Sequence, residues 1–381
     1  MKTQKAFSEQ LNISVAVASG VEKATKSEFI RLGYGNVPAE NGIFDLKGSI
    51  LDVATLNVNL RTADRVFIKL VSFSAQTFDD IFDGVFAFPW ENYLPESAKI
   101  DINGKCVKST IFAPSSCQSI IKKAIIKRLS KVYKKNLFLE DGARYGVNFS
   151  LFKNECTIYL NTSGVGLHKR GYRDLVGIAP IKETLAAALL LYSDFYKSHP
   201  FVDPFTGSGT IAIEAAKIAL NVAPNLERDF DFNNWEGVSK GTLNLAREKA
   251  RDLENREQKV EIFASDIDFK AIKLAERHAE RAGLKNIINF SQKDVKDVEL
   301  LGSLGTVVTN PPYGERVYDV REAEECYRAL RKIFKDKGDW SLFLITSHKG
   351  FEKYFGKKAD RIRKLYNSNK ECNYFYYYGD K

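Results

Sequence analysis

Cysteine and histidine are scarce and scattered. The five cysteines (Cys106, Cys117, Cys156, Cys326 and Cys372) form no C-x-x-C pair, which argues against a zinc site and against a disulfide framework. The four histidines (His168, His199, His278 and His348) are too dispersed for a metal cluster, so no metal is expected. No apolar run approaches the roughly 20 residues of a membrane span. The start, Met1-Lys2-Thr3-Gln4-Lys5, leads into no apolar signal core. Internal repeats and low-complexity tracts are also missing. A reducing, cytoplasmic location follows as the expectation.

What is present is ordinary for a soluble globular chain: 381 residues, 44% hydrophobic and 28% charged, enough for two or three domains. The net charge of +9 suits a polyanionic partner. One further absence is local. No acid occurs from Ile102 to Leu139, a window holding nine basic residues. Seven lie between Ser119 and Lys135, where the periodicity predicts a helix with Ile121, Ile125, Leu129 and Val132 on one face and Lys123, Lys127, Lys131 and Lys134 on the other. A solvated face usually mixes signs. This one does not, and Lys122, Lys123, Lys127, Lys131 and Lys134 are candidate contacts to a nucleic-acid backbone. The stretch from Asn161 to Arg173 combines glycines with Lys169, Arg170 and Arg173. It reads as a hinge that also grips a phosphate or base, or as a plain basic turn between domains.

Short strands and two helices (Glu22 to Leu32 and Ser49 to Asn59) from about residue 11 to 70 suggest a small α+β unit, and a second unit follows from 71 to 165. Beyond 166 helix and strand alternate, the mark of a parallel sheet. Residues 221 to 258 interrupt that alternation as an insertion containing Asp231-Phe232-Asn233-Asn234-Trp235. The expected division is 1–70, 71–165 and 166–381, with an α/β fold in the last.

The chain is organised around Phe201-Val202-Asp203-Pro204-Phe205-Thr206-Gly207-Ser208-Gly209-Thr210. A buried strand ends in an acid, turns through two glycines and enters a helix. Glycines let backbone approach a ligand, and the helix start offers free N–H groups. The spacing formally fits a dinucleotide fingerprint, which is weak alone. The next acid at a strand end is Asp266, far beyond the ~20 residues that fingerprint requires, and a pyrophosphate is repelled by the acid of Asp-Pro-Phe. An acid here suits a cofactor bearing an ammonium and a sulfonium, which is S-adenosylmethionine. Asp203 then serves its methionine end, Asp266 its ribose hydroxyls and Asp294 its adenine amino group. Pro204, Phe205, Gly207, Gly209 and Thr210 at the turn, with Ile267 and Val295 after the two later acids, complete the expected cofactor set.

Asn310-Pro311-Pro312-Tyr313 follows another short strand. Two prolines stiffen the chain, so the Asn310 side-chain oxygen and the Pro311 carbonyl become fixed acceptors for the two hydrogens of an exocyclic amine. Tyr313 offers a stacking face for a planar base. The amine nitrogen attacks the sulfonium methyl group, positioning supplies much of the rate, and no strong general base is required.

These motifs, with Gly314-Glu315-Arg316, Leu167-to-Arg173, Ala179-Pro180-Ile181-Lys182-Glu183-Thr184-Leu185-Ala186 and Pro114-to-Ala124, resemble the class I RNA methyltransferases that carry a THUMP domain. The likeness is greatest to the bacterial large-subunit ribosomal RNA guanine-N2 group. The resemblance covers nearly the whole chain. It implies an N-terminal ferredoxin-like domain, a THUMP RNA-binding domain and a Rossmann-like catalytic domain. It also implies the cofactor and amine roles given above, and it places Lys182 to Thr184 near the cofactor. The second methyltransferase domain of some relatives is not found in this sequence. Three targets suit an Asn-Pro-Pro-Tyr motif: guanine N2 in ribosomal RNA, adenine N6 in RNA or DNA, and a protein glutamine amide. The basic helix argues against the last. A non-catalytic RNA-binding protein would not need all three acids and the proline pair.

Overall fold

Among the described residues two seven-stranded sheets organise the fold. The computed structural model describes residues 5–173, 181–314, 320–335 and 337–380. In the N-terminal half, β1 (Leu11–Val17), α1 (Glu22–Arg31), β2 (Ala39–Glu40), β3 (Ile43–Gly48), α2 (Ile50–Asn59), β4 (Ala63–Ser74), α3 (Phe78–Ala87), β5 (Lys99–Val107), α4 (Pro114–Tyr133), β6 (Arg144–Phe152) and β7 (Glu155–Asn161) follow in order. Two of the helices start on reciprocal caps. The Ser49 and Thr77 side chains accept from the backbone N–H three residues on, and Asp52 and Asp80 accept in return. The strands lie in the order β2-β3-β1-β4-β7-β6-β5. The expected boundary at 70/71 falls inside β4, which pairs with β1 on one side and β7 on the other, so one sheet spans both sides of that boundary.

The second half contains α5 (Glu183–Tyr192), β8 (Phe201–Asp203), α6 (Thr210–Ala219), α7 (Gly241–Arg251), β9 (Ile262–Asp266), α8 (Phe269–Arg281), β10 (Ile288–Gln292), β11 (Thr306–Thr309), α9 (Val320–Ile333), β12 (Ser341–Thr346), α10 (Phe351–Phe355), β13 (Arg361–Asn367) and β14 (Lys370–Tyr377). The sheet order is β10-β9-β8-β11-β12-β14-β13, with the first five strands parallel and β14 antiparallel to both of its neighbours. This is the expected α/β architecture, and residues 361–377 form the hairpin that closes it. The chain steps outward from β8 to β9 and β10, then returns to lay β11 on the other side of β8. Ligands of such sheets bind at this reversal, beyond the carboxyl ends of the strands.

The insertion has a definite place. Phe230, Phe232, Trp235, Leu243 and Ala246 share a core with β1, α2, β6 and β7 of the N-terminal half, not with the second sheet. Trp235 stacks on Tyr145 (centroids 5.2 Å apart, planes at 12°) and donates Nε1–H to the Arg144 carbonyl at 2.8 Å. Nearby, Arg61 is fully buried and donates to the Val222 carbonyl at 2.8 Å, and Asn225 donates to the Asn57 carbonyl at 2.9 Å. Among the described residues no helix is long and apolar enough to cross a membrane.

Candidate active site

The glycine turn lies at the reversal. Gly207 and Gly209 have φ of +50° and +81°, a region that favours glycine. A Cβ on Gly209 would stand 2.9 Å from Ala275 Cβ, whereas among the described residues one on Gly207 would meet nothing within 4 Å. Gly209 is therefore needed for packing, and no described residue crowds Gly207. Asp266 accepts from the Gly207 N–H at 2.9 Å and from the Asp268 N–H at 3.0 Å. His278 Nδ1 donates to the Ser208 carbonyl at 3.1 Å.

Register places the three acids in a row. Asp203 is opposite Ala264, two residues short of Asp266, and Asp266 is opposite Gln292, two residues short of Asp294. Each step advances two residues and one strand, a diagonal of roughly 8 Å. Asp203 is only 1% exposed. Its Oδ1 accepts from the Thr309 hydroxyl at 2.7 Å and from the Phe205 N–H at 3.4 Å, while its Oδ2 has no partner among the described residues. Burial pushes this carboxyl up to about 7, against the lowering effect of those hydrogen bonds. Burial also raises Asp266. Asp294 is half-buried, and its Oδ1 accepts from the Lys296 N–H at 2.9 Å. Ile267 is exposed. Val295 packs into the apolar cluster with Val202 and Tyr327, so its side chain serves the core.

The Asn310–Tyr313 segment leaves β11 beside this turn. Tyr327 of α9 donates its hydroxyl to the Pro312 carbonyl at 2.8 Å and fixes the loop from below. Among the described residues the Pro311 carbonyl receives no hydrogen bond, so it is an available acceptor. Tyr313 differs from expectation. Its hydroxyl donates to Asn310 Oδ1, and the Lys370 ammonium lies 5.5 Å from the ring centroid. The amide oxygen expected to take the target amine is thus engaged by Tyr313, and one face of the ring is under a cation from the closing hairpin. Glu315, Arg316, Ala179 and Pro180 lie outside the described residues.

The family model described as RMKL-like, methyltransferase domain matches residues 170–375, the THUMP domain matches 75–161 and the RlmL ferredoxin-like domain matches 12–67. The chain belongs to the RMKL-like methyltransferase family. A Bacillus subtilis relative named "Putative RNA methyltransferase YpsC" is 43% identical over 94% of each chain. The "Ribosomal RNA large subunit methyltransferase K/L" of Shewanella frigidimarina is 30% identical over 96% of this chain, which spans about half (52%) of that protein. Among solved structures, "a predicted N6-adenine-specific DNA methylase" from Listeria monocytogenes superposes with TM-score 0.92 at 41% identity, covering 98% of this chain and 97% of that one. SMU.472, crystallised with S-adenosylhomocysteine, superposes with TM-score 0.91 at 36% identity over the whole of both chains.

As a member of this family the protein uses S-adenosylmethionine, and the residues present fit it. Among the described residues nothing obstructs the cradle at Gly207 or partners Asp203 Oδ2, which suits a cationic amino-acid end. When bound, the cofactor supplies an electrophilic sulfonium methyl group.

For an RMKL-like enzyme the positions of the basic residues matter, and three expected RNA contacts need correction. Arg170 is buried. It pairs with Glu214 at 3.5 Å, both side chains fully enclosed, and donates to the Leu167 carbonyl, the Asn225 side chain and the Arg61 carbonyl. An arginine so enclosed cannot meet RNA. Arg173 pairs with Glu183 at 3.4 Å and donates to the Thr210 hydroxyl and the Ile181 carbonyl, so it anchors the cofactor turn. Lys122 is held by Glu140 at 2.8 Å and donates to the Ile100 carbonyl. The acid-free window is not acid-free in space, because Glu91 and Glu96 also reach Arg128 and Lys135. Lys123, Lys127, Lys131, Lys134 and Lys169 are exposed, with Lys127 and Lys131 seated over the parallel rings of Phe82 and Phe86.

Sequence reasoning missed Thr309, Tyr327 and Lys370. Thr309, the polar end of a fully buried strand, could have been singled out. Tyr327 and Lys370 carried no local signal.

Proposed function

We propose that the protein methylates an exocyclic base amine in RNA, and that the amine is N2 of a guanine in large-subunit ribosomal RNA. The observation that carries this reading is the placement of the Asn310 and Pro311 acceptors beside Asp203 and the glycine turn, at one reversal of the sheet. Asn310 Oδ1 and the Pro311 carbonyl accept the two amine hydrogens and turn the nitrogen lone pair outward. The Asn310 oxygen has two lone pairs, so the Tyr313 hydroxyl can remain and hold the amide while the amine binds. The proton is lost from the charged, methylated amine, which needs no strong base. Lys123, Lys127, Lys131, Lys134 and Lys169 hold the RNA backbone. The K/L relatives and the match to a THUMP domain support the choice of ribosomal RNA.

The description of the Listeria structure favours a second reading, adenine N6. Labelled cofactor supplied with RNA from a strain lacking the protein, followed by digestion to nucleosides, separates the two. Label in N2-methylguanosine supports the proposal. Label confined to N6-methyladenosine establishes the alternative.

A further inference from the structure

A cleft of about 240 Å³ separates the N-terminal half from the catalytic sheet. Ser19 follows β1, Asp64 belongs to β4, Lys182 and Thr184 lie at the start of α5, and Tyr366 and Ser368 come from the β13–β14 hairpin. Its volume is below the roughly 300 Å³ at which drug-sized sites begin, so it suits a sugar phosphate and not a whole cofactor.

Two contacts tie the cleft to the reacting centre. Its α5 wall is fastened to the cofactor turn through Arg173, which pairs with Glu183 and donates to Thr210. The hairpin has the register pair Asn367 and Lys370, leaving a two-residue turn with Ser368 at φ +58°. Tyr366 and Ser368 line the cleft, while Lys370 covers the Tyr313 ring and Asn367 is close enough to act on its phenol. One short turn thus has the target-amine motif on one side and the cleft on the other.

The lining has the chemistry of a ribose phosphate site. Lys182 supplies a cation and lies close enough to act on Asp64. Asp64 already takes a hydroxyl donor, Thr184 Oγ1 at 3.4 Å, and a carboxylate has lone pairs left for another. We propose that this cleft receives the nucleotide adjoining the target nucleotide in an RNA strand, with its phosphate on Lys182 and its 2′-hydroxyl on Asp64. The site would then distinguish RNA from DNA, because the 2′-hydroxyl is what separates them. This deepens the RNA-methylation reading above and rests on it.

The test uses the full chain and a short RNA spanning the position labelled in the assay above. Lys182→Gln should raise KM for that RNA about tenfold, the effect of losing one charge-assisted contact, with cofactor affinity unchanged. Ser19→Trp, which fills the cleft from its rim, should do the same. A single 2′-deoxy substitution beside the target should lower wild-type kcat/KM about tenfold and cause no further loss in Asp64→Asn. Wild-type methylation with KM unmoved by both Lys182→Gln and Ser19→Trp would overturn the cleft assignment and leave the function standing. Cofactor affinity lost in Lys182→Gln would assign that lysine to the cofactor instead. No methylation of any RNA would remove the function and the cleft assignment together.

Discussion

We expect cofactor binding to depend on pH through Asp203. Its carboxyl is buried, held to β11 by the Thr309 hydroxyl, and titrates at about 7 in the free protein. Asp266 faces it from β9 and raises it further. A cationic ligand favours the ionised carboxylate, so the bound pKa is lower than the free one. Affinity is therefore full above 7 and falls as pH drops through 7, with a proton released on binding. At pH 8 about ten carboxyls in eleven are ionised and at pH 6 about one in eleven, so the dissociation constant should rise about tenfold between them. Lys217 on α6 is lowered by burial to about 8 and titrates in the same range, but it is two turns from the glycine loop. Asp203→Asn separates the two groups. That variant should bind S-adenosylmethionine with no such pH dependence and no better than the wild type does at pH 6. Calorimetry in two buffers of different ionisation enthalpy reads both the affinity and the released proton. A wild-type affinity that stays flat from pH 6 to 8, with no proton released, refutes the reasoning.

Three further outcomes are expected. Asn310→Ala should lower kcat by about 10- to 100-fold, the range for a hydrogen bond to a group developing charge, with cofactor affinity intact, while Tyr313→Phe keeps the ring and should cost less; single-turnover kinetics with labelled cofactor compare them. Arg170→Ala leaves Glu214 buried without its partner and should destabilise the fold by about 3–5 kcal/mol, measured by denaturant unfolding. Lys123→Glu with Lys127→Glu should weaken RNA binding and reduce its salt slope by ~0.7 per lost contact, and an unchanged slope in filter binding would show that this face is only solvated.

The glycine turn, the three acids and the Asn-Pro-Pro-Tyr segment were legible because each is local: a strand, its end and the residues after it lie together in sequence. The electrostatics were not. Lys122, Arg128 and Lys135 looked unopposed because their partners, Glu140, Glu91 and Glu96, stand outside the basic window or on other elements. Arg170 and Arg173 looked like phosphate ligands because nothing beside them in sequence announces Glu214 or Glu183. The role of Tyr313 was half legible. Its aromatic ring is in the motif, but Lys370, which covers it, comes from a hairpin 57 positions later. The insertion was visible as an interruption, and its destination was not, since its apolar residues find partners in strands more than 60 residues earlier.

That destination constrains how the protein is made. Chains leave the ribosome N-terminus first, and domains generally fold as units in that order. Here the first sheet cannot complete its core until Trp235, Leu243 and Ala246 have emerged, and by then β8 and the cofactor helix α6 are already out. The RNA-binding half therefore matures only after the first strand of the catalytic sheet exists. A nascent chain cut before residue 230 would leave the apolar surface that Trp235 and Phe232 cover open to solvent, a target for chaperones and not a free-standing RNA-binding module.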